Sequence, residues 1–225
     1  MNPIVLAASR LWRPDLAERL AVRSGRPCHL ITRPEDLTAE ALVALAPRYV
    51  FFPHWSHRIP AVVFEAHECV VFHMTDLPYG RGGSPLQNLI VRGHRETQLC
   101  ALRCVEAIDA GPVYLRRPLS LLGSAQEIYL RATDLIEEMI LEILSSEPLP
   151  QPQEGEPVVF PRRKPEEGNL ARLESLEQLY DYIRMLDAGG YPHAFLEVGR
   201  FRLEFRRAAY QGDDVLADVS IRELK

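Results

Sequence analysis

The strongest constraint on this chain's fold is a rhythm in its apolar residues. Through the first two thirds, short and almost purely apolar runs alternate with stretches whose apolar residues recur at helical spacing. Ile4-Val5-Leu6-Ala7-Ala8 and Cys69-Val70-Val71-Phe72 offer no polar face. Strands of that kind are covered on both sides, as happens when parallel strands are joined by crossover helices. Strands are expected at 3–8, 28–32, 48–52 and 68–73. Helices are expected at 14–23 and 38–45, the second opened by Thr38 as a cap. The expected class is α/β, a mostly parallel sheet with helices on both faces.

Beyond the fourth strand, Gly80-Arg81-Gly82-Gly83-Ser84-Pro85 reads as a loop whose glycines permit unusual backbone angles, and Pro85 can open a helix over 86–91. Two more strands are expected at 98–106 and 112–119. Ser124 and Glu127 form a capping box ahead of Ile128, Leu135, Ile136, Met139, Ile140 and Ile143 at helical spacing. Pro148, Pro150, Pro152 and Pro157 then break regular structure, which predicts a catalytic domain at 1–147, a Pro-rich linker at 148–157 and a small α+β appendage at 158–225. In the appendage a helix is expected at 175–186, and a hairpin turning at 198–200 between strands at 194–197 and 200–206. Phe201, Leu203 and Phe205 give its second strand one apolar face, which needs cover from the main domain or from a second subunit in a homodimer.

Charge and cysteine usage narrow the partners. With 225 residues, a net charge of −5 and a pI near 5.8, the chain lacks the basic surplus that binding to nucleic-acid phosphates draws on. No apolar run reaches the roughly 18 residues of a membrane span, and the first residues lack the basic start of a signal peptide. Cys28, Cys69, Cys100 and Cys104 have neither metal-ligand nor disulfide spacing and read as reduced, buried thiols. The expected location is the cytoplasm, with no nucleic acid and no membrane as partner.

Several motifs for chemistry are incomplete. His54 and His57 have HxxH spacing but stand at a strand end without a third ligand nearby, so no metal is expected. There is no GxSxG elbow, and the glycines at 80–83 lack the GxGxxG pattern after a first strand. What remains is His73 at the carboxyl end of an expected parallel strand, where open α/β sheets place ligands. Asp109 stands before an Ala-Gly turn and could converge on it. Spacing alone also permits a surface histidine and a turn aspartate.

His73, Leu77-Pro78, Arg81-Gly82, Pro85, Gly93, Thr97, Asp109 and Gly111 together resemble the pattern of the folate-dependent formyltransferase family. That family includes glycinamide ribonucleotide, methionyl-tRNA and nucleotide-sugar formyltransferases. Residues 160–168 and 191–195 look like segments shared by its tRNA and sugar members, so the resemblance covers roughly residues 48–207. It implies a Rossmann-like sheet and transfer of a formyl group from 10-formyltetrahydrofolate, a co-substrate, to an amine without a metal. It assigns catalysis to His73 and Asp109. It implies pterin contacts at Trp55, Ser56, His57 and Ile59, and at Val105, Glu106, Ala107 and Ile108. One position departs: the family asparagine two residues before the histidine, a donor to the formyl oxygen, is Val71 here. Thr75, Gln87, a main-chain amide or a water could take its place.

The acceptor implied is a nucleotide-linked amino-deoxy sugar, of the type found in pseudaminic-acid-like pathways. The segment after Pro157 has eleven Lys/Arg against twelve Asp/Glu, which is too neutral for tRNA. Thr75, Arg81, Gly82, Gly83, Ser84 and Gln87 are expected to bind the acceptor, with Arg162 and Arg163 on its diphosphate. The spelling around His73 also resembles the formylation domain of a peptide-antibiotic synthetase. Two alternatives stay open: a degenerate member that binds without turnover, and a formyltransferase acting on another small amine such as an aminoacyl group.

Overall fold

A computed structural model describes residues 2–224. The first apolar run becomes β1 (Ile4–Ala7), buried along its whole length. The chain then forms α1 (Leu16–Ser24), which stops at Gly25 because the left-handed φ of 67° there suits a residue without a Cβ. Next come β2 (Cys28–Ile31), α2 (Ala39–Leu45), β3 (Val50–Phe52), the one-turn α3 (Ala61–Phe64) and β4 (Cys69–His73). Thr38 caps α2 as expected, its hydroxyl accepting the Ala41 amide at 3.2 Å. Beyond β4 lie β5 (Tyr79–Gly82), α4 (Pro85–Ile90), β6 (Glu96–Arg103), β7 (Val113–Ser120), α5 (Ala125–Ser146) and β8 (Val158–Phe160). The chain closes with α6 (Leu176–Leu186), β9 (Ala194–Val198), β10 (Phe201–Gln211) and β11 (Asp214–Glu223).

Six strands form the main sheet in the order β2-β1-β3-β4-β6-β7. β1 pairs in parallel with β2 and β3, and β3 with β4, whereas β6 runs antiparallel to β4. The strand order reverses at β1, since β2 lies on one side of it and β3 on the other. Ligands in open α/β sheets bind in the crevice at such a reversal, outside the carboxyl ends of the strands. Here the loops that leave β1 and β3 are tied across it, the Ser56 amide donating to Ser9 Oγ at 2.9 Å.

Helix α5 shows why the sequence pattern succeeds. Ile128, Ala132, Ile136, Met139, Ile140 and Ile143 form one buried stripe, and each buried Ile or Met side chain stabilises the fold by roughly 1.5–3 kcal/mol. The capping box is present, with the Ser124 amide donating to Glu127 at 2.7 Å and the Glu127 amide to Ser124 Oγ at 3.3 Å. Arg19 and Arg23 of α1 neutralise the buried Glu137 of α5, at 2.8 and 2.7 Å.

Two compact units emerge, neither a single stretch of chain. One comprises residues 1–81, 98–119 and 130–159, the other 82–97, 120–129 and 160–225. In the second unit β10 pairs antiparallel with both β9 and β11, and Ser175 caps α6 by accepting the Gln178 amide at 3.1 Å. The hairpin between β9 and β10 turns where expected. β11 was not anticipated, and the first half of the loop expected at 80–85 belongs instead to a strand, β5, paired with β8. Short strands rich in glycine lack apolar alternation, so only their pairing partner reveals them. Among the described residues no helix is long and apolar enough to cross a membrane.

Candidate active site at the end of the fourth strand

β4 ends on His73, which is 7% exposed. Its Nε2 lies 2.8 Å from the Gly80 carbonyl oxygen, which can only accept, so that nitrogen carries hydrogen. Its Nδ1 faces the Asp109 carboxylate at 3.4 Å, with the two side chains 8% and 16% exposed. The histidine and aspartate singled out from the sequence are thus brought together. The Gly80 linkage fixes the ring and leaves Nδ1 as the nitrogen that can work, because 3.4 Å is looser than the ~2.7–2.9 Å of a tight charge-assisted bond.

Asp109 is presented by a strained turn, with a left-handed φ of 52° at a non-glycine residue. Gly111, two residues on, lies against the main chain of Arg103: a Cβ there would come within 2.9 Å of the Arg103 carbonyl carbon and closer still to its oxygen. This explains the glycine of the Asp-x-Gly pattern. Gln153 closes the arrangement. Its Nε2 donates to the Asp109 and Gly111 carbonyls, both at 2.8 Å, and its Oε1 accepts from Arg81 Nε and Nη2 at 3.1 and 2.7 Å. Sequence reasoning missed this residue, because a lone glutamine among prolines carries no local signal. The expected linker around it is fastened down, Gln151 and Val113 exchanging main-chain bonds of 2.7 and 2.8 Å.

The residues expected at the pterin divide. Ile59 and Glu106 line one cleft of about 400 Å³ together with Arg58, Pro60, Ala61, Phe64 and Glu65. Its wall mixes apolar with charged side chains, and neither His73 nor Asp109 is part of it. Trp55 packs edge-on against Phe52 and His57, at 6.0 and 5.3 Å between ring centres, and its buried Nε1 has no hydrogen-bond partner. Ser56 is exposed with its amide spent on Ser9, and Ala107 and Ile108 are exposed while Val105 is half-buried. None of these six lines the cleft. His54 instead bonds Thr133 Oγ1 at 2.9 Å, and burial lowers its pKa to about 4. Among the described residues no three His, Cys, Asp or Glu side chains gather as metal ligands.

The expected acceptor residues divide more sharply. Thr75 is wholly buried, with its hydroxyl donated to the Gly80 carbonyl at 3.3 Å. Arg81 is engaged with Gln153. Gly82, Gly83, Ser84, Gln87, Arg162 and Arg163 belong to the second unit. There Gln87 is buried and donates to Tyr129 Oη and the Met185 carbonyl at 3.3 and 3.1 Å, which uses both amide hydrogens. Ser84 Oγ accepts the Arg163 amide at 3.0 Å, and Gly83 packs on Arg162, where a Cβ would meet its Cα at 2.6 Å. The Arg163 side chain is 14% exposed and lies over the Tyr182 ring. Arg162 alone of the two arginines is exposed. As folded, Thr75, Gln87 and Arg163 are committed to the protein's own structure, since burial obliges each polar group to find an internal partner.

The Cys104 thiol near the pair is not activated. Burial pushes the Cys104 thiol up to about 11, with the Asp109 charge adding to the effect, and raises that of Cys69 still further.

Comparison with known proteins places this geometry. A family model described as methionyl-tRNA formyltransferase, C-terminal domain, matches residues 165–222. A methionyl-tRNA formyltransferase from Thermus thermophilus is 34% identical over 177 residues, 74% of this chain and 57% of that protein. The chain therefore spans a little over half the length of this curated relative. A solved structure described as methionyl-tRNA formyltransferase from Clostridium thermocellum superposes with a TM-score of 0.96 at 46% identity, over 99% of this chain and 100% of that one. A likely sugar N-formyltransferase from Mycobacterium tuberculosis shares the fold, with a TM-score of 0.74 at 19% identity over 92% of this chain and 97% of that one. The chain belongs to the folate-dependent formyltransferase family.

Proposed function

We propose that this chain moves the formyl group of 10-formyltetrahydrofolate onto a primary amine, and that the amine is an aminoacyl one. The observation that carries the chemistry is the His73–Asp109 pair, 3.4 Å apart and largely buried at the carboxyl end of β4. The co-substrate supplies a formyl carbon on N10. Its pterin goes to the cleft lined by Ile59 and Glu106. His73, pinned at Nε2–H, acts as the imidazolium paired with Asp109, which gives Nδ1 a hydrogen to offer the oxygen on which negative charge develops as the amine attacks. Asp109 takes the proton that the attacking amine loses. His73 gives its Nδ1 proton to N10 as the carbon–N10 bond breaks, and Asp109 passes the proton it took on to His73 Nδ1, so one C–N bond forms, one breaks and both residues end as they began.

The aminoacyl acceptor rests on the 46% identical relative named a methionyl-tRNA formyltransferase. This runs against the expected exclusion of nucleic acid as a partner. One observation favours the second reading, a small nucleotide-linked amino sugar. In the second unit Arg95, Arg163, Arg200, Arg202, Arg207 and Arg222 each pair with a carboxylate, which reduces the charge on offer to the many phosphates of a nucleic acid and leaves the exposed Arg162 for a diphosphate.

Incubation with 10-formyltetrahydrofolate and a panel of methionyl-tRNA, aminoacyl esters and UDP-amino sugars, read by tetrahydrofolate release and product mass, tests both halves. Product on the aminoacyl acceptors is expected. Product on sugars alone overturns the acceptor, and folate binding without release overturns the enzyme. His73→Ala or Asp109→Asn should lower kcat by about 10³-fold or more with the fold intact. Wild-type kcat in either variant removes its role.

A further inference from the structure

We propose that Gln153 is a positioning residue for the His73–Asp109 pair, its carboxamide setting the turn that presents the aspartate. The proposal rests on the formyl-transfer reading of that pair.

The amide uses its whole hydrogen-bonding capacity in one direction. Both Nε2 hydrogens go to carbonyls of the same turn, Asp109 and Gly111, and Oε1 receives two donors from Arg81. A flipped amide would set its oxygen against two carbonyl oxygens and its NH₂ against a guanidinium, so Arg81 fixes which end faces the turn. The first carbonyl is that of Asp109 itself, whose backbone is strained at φ 52°, and the second stands two residues on in the same turn. A non-glycine residue stays in that region only where its surroundings over-determine it, and Gln153 provides such a hold.

These contacts close a circuit. His73 Nε2 and Thr75 Oγ1 both donate to the Gly80 carbonyl, at 2.8 and 3.3 Å. Gly80 precedes Arg81, Arg81 holds Gln153, Gln153 holds the Asp109 turn, and Asp109 returns to His73. The longest link is the last, at 3.4 Å, which is where a reacting group must enter. The prolines on the segment have a part in this. Pro152 restricts the chain between Gln151, fastened to Val113, and Gln153, so the side chain starts from a set place.

The test compares Gln153→Ala, Gln153→Glu and Gln153→Ala/Asp109→Asn with wild type. Gln153→Ala should lower kcat about 10–100-fold and change the KM for 10-formyltetrahydrofolate less than about twofold. Gln153→Glu keeps an acceptor for Arg81 but removes both donors, so it should lose at least as much. The double variant should be no worse than Asp109→Asn, because a positioning residue has nothing left to position. Wild-type kcat in Gln153→Ala, full activity in Gln153→Glu, or additive losses in the double variant would overturn the proposal. If the wild-type chain formylates no acceptor, the functional reading fails on its own. A crystal structure of Gln153→Ala then decides this one: His73 and Asp109 should move apart beyond ~4 Å, past hydrogen-bond reach, and an unchanged separation refutes it.

Discussion

Replacing Gly111 by alanine tests whether the Asp109 turn, rather than Asp109 alone, makes the site. The new Cβ would stand 2.9 Å from the Arg103 carbonyl carbon and 3.5 Å from Val105 Cγ1, where carbon pairs prefer ~3.5–4.0 Å. The carbonyl is main chain and cannot rotate away. It is held by the pairing of β6 with β4 and by the Arg103 amide on the Pro112 carbonyl at 2.9 Å. The carbonyl oxygen lies nearer still, so the turn must retreat by more than about 1 Å. Overpacking of this kind costs about 1–3 kcal/mol, which lowers Tm by about 2–10 °C for a chain of this size. The functional effect should be larger than the stability effect suggests. A displacement near 1 Å of a reacting group costs on the order of 10²-fold in rate, and the movement draws the carboxylate off His73 and the Gly111 carbonyl off Gln153. Thermal unfolding by circular dichroism and formyl-transfer kinetics on the same preparation separate the two. A variant with unchanged Tm and unchanged kcat would refute the close approach, and one with lowered Tm but unchanged kcat would refute the link from the turn to catalysis.

Two further predictions follow from individual residues. His54 is half-buried against Thr133, and loss of solvation lowers its pKa to about 4 from an ordinary 6.5; the unfolded chain binds a proton between those values that the folded chain does not, so this contribution is complete above pH 6.5 and is lost as pH falls toward 4, by up to about 3 kcal/mol. Denaturant titrations across that window should show the slope shrink in His54→Gln, and an identical slope would remove His54 as its source. Val71 packs against apolar clusters on β4, and the side chains best suited to replace the family asparagine, Thr75 and Gln87, are already spent on Gly80, Tyr129 and Met185. Val71→Asn should therefore raise kcat several-fold while lowering Tm, since a new oxyanion donor is worth on the order of 10²-fold at best; a fall in kcat at unchanged folate KM would show that another donor already occupies that place.

What the sequence by itself determined is local. Fully apolar runs made β1, β3 and β4 interior strands, and the capping residues Thr38 and Ser124 marked where α2 and α5 begin, because period and caps depend on neighbours three or four residues away. His73 and Asp109 were legible as candidates because each ends or opens a turn at a strand terminus. Tertiary structure decided everything that depends on partners distant in the chain. It set β6 antiparallel beside β4, paired β5 with β8, consumed Thr75, Gln87 and Arg163 inside the protein, and brought Gln153, 44 residues from Asp109 and 72 from Arg81, to the centre of the site. The physical reason is that a buried polar group must be satisfied by whichever group the fold delivers, and spacing along the chain carries no record of that delivery.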